Sequence, residues 1–356
     1  MSFVERRVRV TVPATSANLG PGFDSLGLAL ALRDEVSAEV VQRGAAEREV
    51  LAREVGNGVE VRVIGEGADS VPLDESHLVV RSMYAAFDLM GGRPDGLRVS
   101  CRNAIPHGRG LGSSSAAIVG GIVLARALVA GGTLLVDDDR VFALAAELEG
   151  HPDNVAPAFY GGLVISGQEG DEWFAVPADV DPRVSVVVFV PPVAVPTSAA
   201  RGLLPAHVPH RDAAANAGRA ALLVAALAGR PEHLFLATRD LLHQDYRAPA
   251  MPDSAALVAA LRSDGVPAII SGAGPTVLAF CDGADSASGR PVSGPVSGSV
   301  SGSVSSSVSG SVSGSVSGSA SGSVSGSVGA LLDRTPAGWV ARHLQVERQG
   351  ALVLDE

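Results

Sequence analysis

The run Pro106-His107-Gly108-Arg109-Gly110-Leu111-Gly112-Ser113-Ser114-Ser115-Ala116 constrains the fold more than any other part of this chain. Alternating glycines keep the backbone out of regular structure and turn its amides outward. Ile118, Val119, Ile122, Leu124 and Leu128 follow at helical spacing as far as Gly131-Gly132, so the loop must open straight into the N-terminus of an amphipathic helix. Such a junction offers unpaired N–H groups and the positive end of a helix dipole, which suits a phosphate. The serines add hydroxyls able to bind phosphate oxygens or a Mg²⁺ ion bridging them. A Gly-rich turn with a serine N-cap is the plainer reading; the length and order of the run favour the phosphate cradle.

That cradle has no lysine to call on, because all 27 basic residues are arginine. Walker A loops, the strand lysine of protein kinases, pyridoxal Schiff bases and Ser-x-x-Lys acylases are thereby excluded. Against 38 acidic side chains the net charge is −11, which argues against nucleic acid and anionic membrane surfaces as partners. Cys101 and Cys281 form no C-x-x-C pair and read as buried apolar residues in a reducing compartment. The start MSFVERRVRVTVPA lacks an apolar signal core, and no window is apolar enough to span a bilayer, so a soluble, cytoplasmic protein is expected.

One segment cannot build a core. From Val292 to Val328 the chain repeats V-S-G-S, placing valine at every fourth position, which fits neither strand nor helix. The stretch 286–328 therefore reads as a disordered Ser/Gly/Val insert looping into solvent. The remainder alternates strands and helices. Strands are expected at Arg7–Val12, Glu35–Gln42, Val59–Ile64, Leu97–Cys101, Val184–Val190, Ala268–Ile270 and Thr276–Phe280, with Leu344–Leu354 as a terminal pair. Helices are expected from a cap at Asp74 or Ser76 to Leu89, from Ser113, from Asp137–Asp139 to Gly150, over Asp212–Leu227 and over Pro231–His243. A domain change is placed between Gly167 and Pro182, where QEGDEW interrupts the pattern, giving domains 1–170 and 183–356.

Pro-x-x-x-Gly-Leu-Gly-Ser-Ser resembles the ATP loop of the GHMP kinases. Three further segments agree in place and order. Val12-Pro-Ala-Thr-Ser-Ala-Asn18-Leu-Gly-Pro-Gly-Phe-Asp24 is similar to the first motif in its homoserine kinase form. Glu149-Gly-His-Pro-Asp153-Asn154 resembles the segment with an Asp-Asn pair, and Ile270-Ser-Gly-Ala-Gly-Pro-Thr276 resembles the third, glycine-rich motif. Without the resemblance, that last run reads equally well as a tight turn between strands.

The resemblance implies a two-lobed α+β fold, with an N-terminal lobe like ribosomal S5 domain 2 and a ferredoxin-like C-terminal lobe. It implies ATP and Mg²⁺, L-homoserine as acceptor, a homodimer, and L-threonine as a possible feedback inhibitor. Its ATP-binding residues are Pro106 through Ala116; Arg201 and Arg247 contact the substrate carboxylate, while Asn18, Asp24 and Asp153 take the ammonium and hydroxyl. Arginine forks suit a carboxylate, although either arginine could be a surface residue paired with an acid. Asp153, Asn154 and Arg201 are the candidate catalytic residues. Ser114 and Glu147, with Glu149 as the alternative, would hold the metal; two positions apart on a helix face about 200° apart, so only one carboxylate can. Asp153 either takes the hydroxyl proton or only orients the substrate, and the lack of lysine removes a lysine-assisted base. His151 and His243 read as structural. A kinase of another small alcohol such as mevalonate, and a non-catalytic protein of the same fold, are the alternatives.

Overall fold

The computed structural model describes residues 2–41, 58–282 and 327–354. Its elements form a two-lobed α+β molecule. In the first lobe, β1 (Val8–Ala17) pairs antiparallel with β2 (Leu26–Val40) along its whole length, with a register shift between Pro13 and Ala14. Beyond β2 lie β4 (Leu97–Asn103) and, parallel to it, β3 (Val59–Gly65). The 15-residue β2 serves two neighbours, since its first residues also pair with β5 (Leu163–Glu169). Only its second half was expected as a strand, because Leu26 to Leu32 is apolar on both faces and lacks the alternation of a half-buried strand.

Helices α1 (Leu78–Leu89), α2 (Ser113–Leu128), α3 (Asp138–Glu149) and α4 (Pro152–Tyr160) cover this sheet. Helix α2 is buried nearly all round, as expected of a helix packed between a sheet and other helices. Helix α1 is capped by His77, whose ring accepts from Val79 N. The expected caps are used elsewhere: Asp74 accepts from the amide and hydroxyl of Ser76, closing a turn before the helix.

The expected break after residue 170 is a hairpin. Gly170 takes φ +62° between β5 and β6 (Glu172–Ala178), and the polar run that resembles a linker is its tip. The first sheet therefore continues to Ala178. The second lobe is a four-stranded sheet in the order β10 (Val340–Gln345), β7 (Val184–Val190), β9 (Val277–Asp282), β8 (Ala268–Ile270). Strand β7 is interior and buried at every position, which explains its uninterrupted apolar sequence. Helices α5 (His210–Gly229) and α6 (Pro252–Ser263) belong to this half of the chain. The helix expected over Pro231–His243 stops at Ala237, because the Asp240 carboxylate accepts from the amides of Leu242, His243 and Gln244 and starts a new turn.

The C-terminal strands do not pair with each other. Strand β10 joins the second sheet, whereas β11 (Leu352–Leu354) returns to pair with β1. Of the proposed insert, residues 286–326 lie outside the described residues. Ser327 and Val328 do not belong to it, since Ser327 caps a short helix, Val328–Leu332, that buries Leu331.

One buried acid fixes the entry to the glycine loop. Asp34 Oδ1 accepts from the amides of Ala104 at 2.6 Å and Ile105 at 2.9 Å. Burial nonetheless pushes its pKa up to about 6 against those two hydrogen bonds, so the native state binds a proton more readily than the unfolded chain. Stability should therefore fall as pH rises from about 4 to 6 and then level off. Asp34→Asn keeps the acceptor without the charge, and is expected to raise stability near neutral pH by up to about 3 kcal/mol, the gain shrinking toward pH 4. Denaturant unfolding of both proteins across that range measures the difference.

Candidate active site

The glycine loop is clamped between the lobes. Gly108, Gly110 and Gly112 all adopt positive φ, at +64°, +76° and +72°. Two of these positions also lack room for a side chain: a Cβ on Gly110 would sit 2.3 Å from Ser271 O, and one on Gly112 would sit 1.9 Å from Thr15 Oγ1. Gly112 is the N-cap of α2, so the loop amides and the helix N-terminus open into one cleft. Both other glycine-containing motifs reach the loop. Thr15 N donates to Leu111 O, Thr276 N donates to Arg109 O, and Ser271 Oγ lies 2.6 Å from Gly110 O. The third motif is thus both the turn between β8 and β9 and a wall of the cleft.

Ser114 and Ser115 each donate to Glu149 Oε1, at 2.7 and 2.8 Å. Of the two candidate carboxylates, Glu147 is exposed and does not line the cleft, whereas Glu149, two residues further round α3, does. Serine and carboxylate oxygens beside a phosphate cradle fit Mg²⁺, which takes few protein ligands and completes its shell with phosphate and water. The cradle itself fits a nucleotide triphosphate, because an apolar pocket adjoins it through Gly108, Ser113 and Ser114. Val71, Pro72, His77, Leu78 and Val79 line that pocket, and nothing in their sequence singled them out.

The other end of the cleft is ionic. Arg201, at the end of a short helix (Thr197–Arg201), grips Asp24 with two bonds of 2.7 and 3.0 Å, and its guanidinium lies 5.6 Å from the Phe23 ring centre. Arg247 is buried to 1 % exposure and lines the same cleft; among the described residues it has no carboxylate partner, and its Nε makes no hydrogen bond. Burial lowers its pKa, and the nearby Arg201 charge adds to that. His243 supports Arg247 from behind. Its Nε2 lies 2.8 Å from Gly20 O and its Nδ1 3.2 Å from Arg247 Nη1, so a neutral ring donating to the carbonyl satisfies both contacts. Burial, which lowers the pKa of His243, favours that form.

Asn18 spends both ends of its amide on backbone, donating to Gly272 O and accepting from Asp24 N, so it shapes the first motif while lining the cleft. Asn18 and Asp24 both hold positive φ, a strain found most often at working sites. Asn154 Oδ1 accepts from Thr15 Oγ1 at 2.8 Å. Asp153, 2 % exposed in the first turn of α4, has Oδ1 3.0 Å from His151 Nδ1. His151 lines the cleft. Its pKa rises because, although burial opposes its charge, the hydrogen bond and charge of Asp153 together with Glu149 outweigh that. Its place inside the Glu149–Asn154 motif was the signal available for it.

A phosphate cradle facing an ionic pocket across two lobes defines a small-molecule kinase. Family models for the GHMP kinases N terminal domain and the GHMP kinases C terminal match residues 77–162 and 220–289. The homoserine kinase of Streptomyces avermitilis is 56 % identical over 285 residues, 80 % of this chain and 89 % of that protein. That of Leifsonia xyli is 50 % identical over 276 residues, 78 % and 81 % of the two chains. A crystal structure of homoserine kinase from Cytophaga hutchinsonii superposes with a TM-score of 0.74 at 25 % identity, covering 99 % of both chains. Mevalonate diphosphate decarboxylase from Staphylococcus aureus, at 13 % identity and a TM-score of 0.62, shares the fold, covering 98 % of both chains. The chain belongs to the homoserine kinase family of the GHMP kinases, ATP-dependent enzymes acting on an alcohol group. No helix among the described residues is long and apolar enough to cross a membrane.

Proposed function

We propose that the cleft transfers the terminal phosphoryl group of ATP to the side-chain hydroxyl of L-homoserine, giving O-phospho-L-homoserine on the route to threonine. One observation carries the residue assignment. A buried guanidinium that has no ion pair among the described residues, Arg247, stands with Arg201, itself paired to Asp24, in the cleft that holds the phosphate cradle. Together they supply both charges that an amino-acid zwitterion demands. Arg247 and Arg201 take the carboxylate, and Asp24 takes the ammonium as Arg201 turns to the substrate. Phosphoryl transfer calls mainly for alignment and charge stabilisation, which the loop amides and the α2 N-terminus provide. Mg²⁺ arriving with ATP would supply positive charge to neutralise the phosphates, and Ser114 and Glu149 are the residues that would hold it. Asp153, with one oxygen tied to His151, has the other free to orient the hydroxyl, whose proton departs late in a loose transition state. Thr15 and Asn154 hold the loop against α4. A cytoplasmic homodimer belongs to the same reading, as does competitive inhibition by L-threonine, which carries the same zwitterion with its hydroxyl one carbon closer.

The purified enzyme should consume ATP with L-homoserine and not with mevalonate, which has no ammonium; turnover on mevalonate alone would overturn the assignment. Glu149→Ala should lower kcat by about 100-fold or more, with Glu147→Ala within about twofold of the parent. Steady-state kinetics of Asp153→Asn separate its two roles. An orienting carboxylate predicts a KM for homoserine raised by about tenfold with a modest change in kcat, whereas a base predicts a large fall in kcat at unchanged KM.

A further inference from the structure

Arg109 sits in the middle of the ATP loop, yet its side chain does not line the cleft. All its guanidinium nitrogens are engaged by backbone carbonyls. Nη1 donates to His107 O at 2.7 Å, Nε to Pro191 O at 3.1 Å and Nη2 to Pro192 O at 2.6 Å. The last two carbonyls follow β7 directly. Proline there cannot continue a strand ladder, so its carbonyl is left for another donor. A second contact runs in parallel: Val195 N lies 3.4 Å from Gly108 O. The loop is therefore fastened to residues 191–195, and Pro196, at φ −61°, is the N-cap of the short helix ending at Arg201. Three prolines in this stretch, each with φ fixed, make it stiff enough to pass a displacement along.

We infer that Arg109 is a positioning residue, not a phosphate ligand: it ties the shape of the nucleotide loop to the placement of Arg201 over the amino-acid subsite. This rests on the reading of Arg201 as a substrate-carboxylate contact. Binding of nucleotide and of amino acid is then coupled through one guanidinium, and the coupling is reciprocal. Arginine is required because its planar fork meets the three carbonyls with three separate nitrogens, whereas the donors of a lysine ammonium all leave one atom.

The test compares the parent enzyme with Arg109→Ala and Arg109→Lys. KM for each substrate is measured at saturation with the other, together with kcat and Tm. Calorimetric titration of L-homoserine with and without a non-hydrolysable ATP analogue completes the set. Both variants should raise KM for L-homoserine by about tenfold or more and, by reciprocity, weaken ATP by a similar factor at saturating homoserine, while titration of the analogue into the amino-acid-free enzyme changes by less than about threefold and the analogue no longer tightens homoserine binding. A phosphate-gripping role predicts otherwise: the analogue binds the amino-acid-free enzyme more weakly in Arg109→Ala, and the lysine charge restores its affinity. That pattern overturns the inference, as do unchanged KM values with only a lower Tm. If Arg109→Ala fails to fold, Arg109→Lys alone decides between the same outcomes. Failure of the parent enzyme to turn over L-homoserine would count against the substrate reading, whereas the variant-to-parent ratios judge Arg109.

Discussion

One buried hydroxyl joins the parts of this enzyme that meet at the reaction. Ser271 Oγ lies 2.6 Å from Gly110 O and 2.8 Å from Ser16 Oγ. With a single proton to give, it donates to the carbonyl and accepts from Ser16. A strand end of the first lobe, the phosphate loop and a turn of the second lobe thus share one polar contact that water does not reach, since both serines are fully buried. In such surroundings an unpaired hydroxyl or carbonyl is costly, so the three segments hold together or separate together. Beside this contact Asn18 donates to Gly272 O, and Gly110 packs so closely on Ser271 O that no side chain fits there.

In the proposed reading, phosphate recognition relies on groups whose direction is fixed by backbone. A lysine would bring a mobile charge on a long stem. The amides of a left-handed glycine turn and the dipole of α2 bring partial charges that do not reorganise when the phosphate arrives. In the same reading full positive charge is kept for the amino-acid end, and there it is arginine, Arg247 lying against Phe23, His243 and Gly272 O. The division would place rigid dipoles at the transferring group and planar cations at the group that must be recognised.

Much of this was legible in the residues. The loop and α2 follow from glycine spacing and apolar periodicity, and β7 from an unbroken apolar run that only a covered interior strand tolerates. Residues without a local signal were harder. The polar tip between β5 and β6 has the composition of a linker, and what distinguishes it is the strand pairing that runs from Leu163 with Ala178 to Glu169 with Glu172. Glu147 and Glu149 are equivalent until the rotation of α3 relative to Ser114 is known. Arg109 reads as a phosphate ligand from its neighbours in sequence, whereas its true partners stand at Pro191 and Pro192. The apolar pocket beside the loop is assembled from α1 and the segment before it, where tertiary packing alone brings ordinary residues together.

The return of β11 to β1 has a mechanical meaning. The chain passes from first lobe to second between Ala178 and Val184, and back again between Gln345 and Leu352. The core on either side of these crossings is continuous, Val186, Leu227 and Phe280 packing in the same buried cluster as Val10, Leu28 and Val119. The returning chain is bonded to the first lobe at once, Glu347 N donating to Ala29 O. The second lobe is thereby moored to the first at both of its ends, like a panel fixed along two opposite edges.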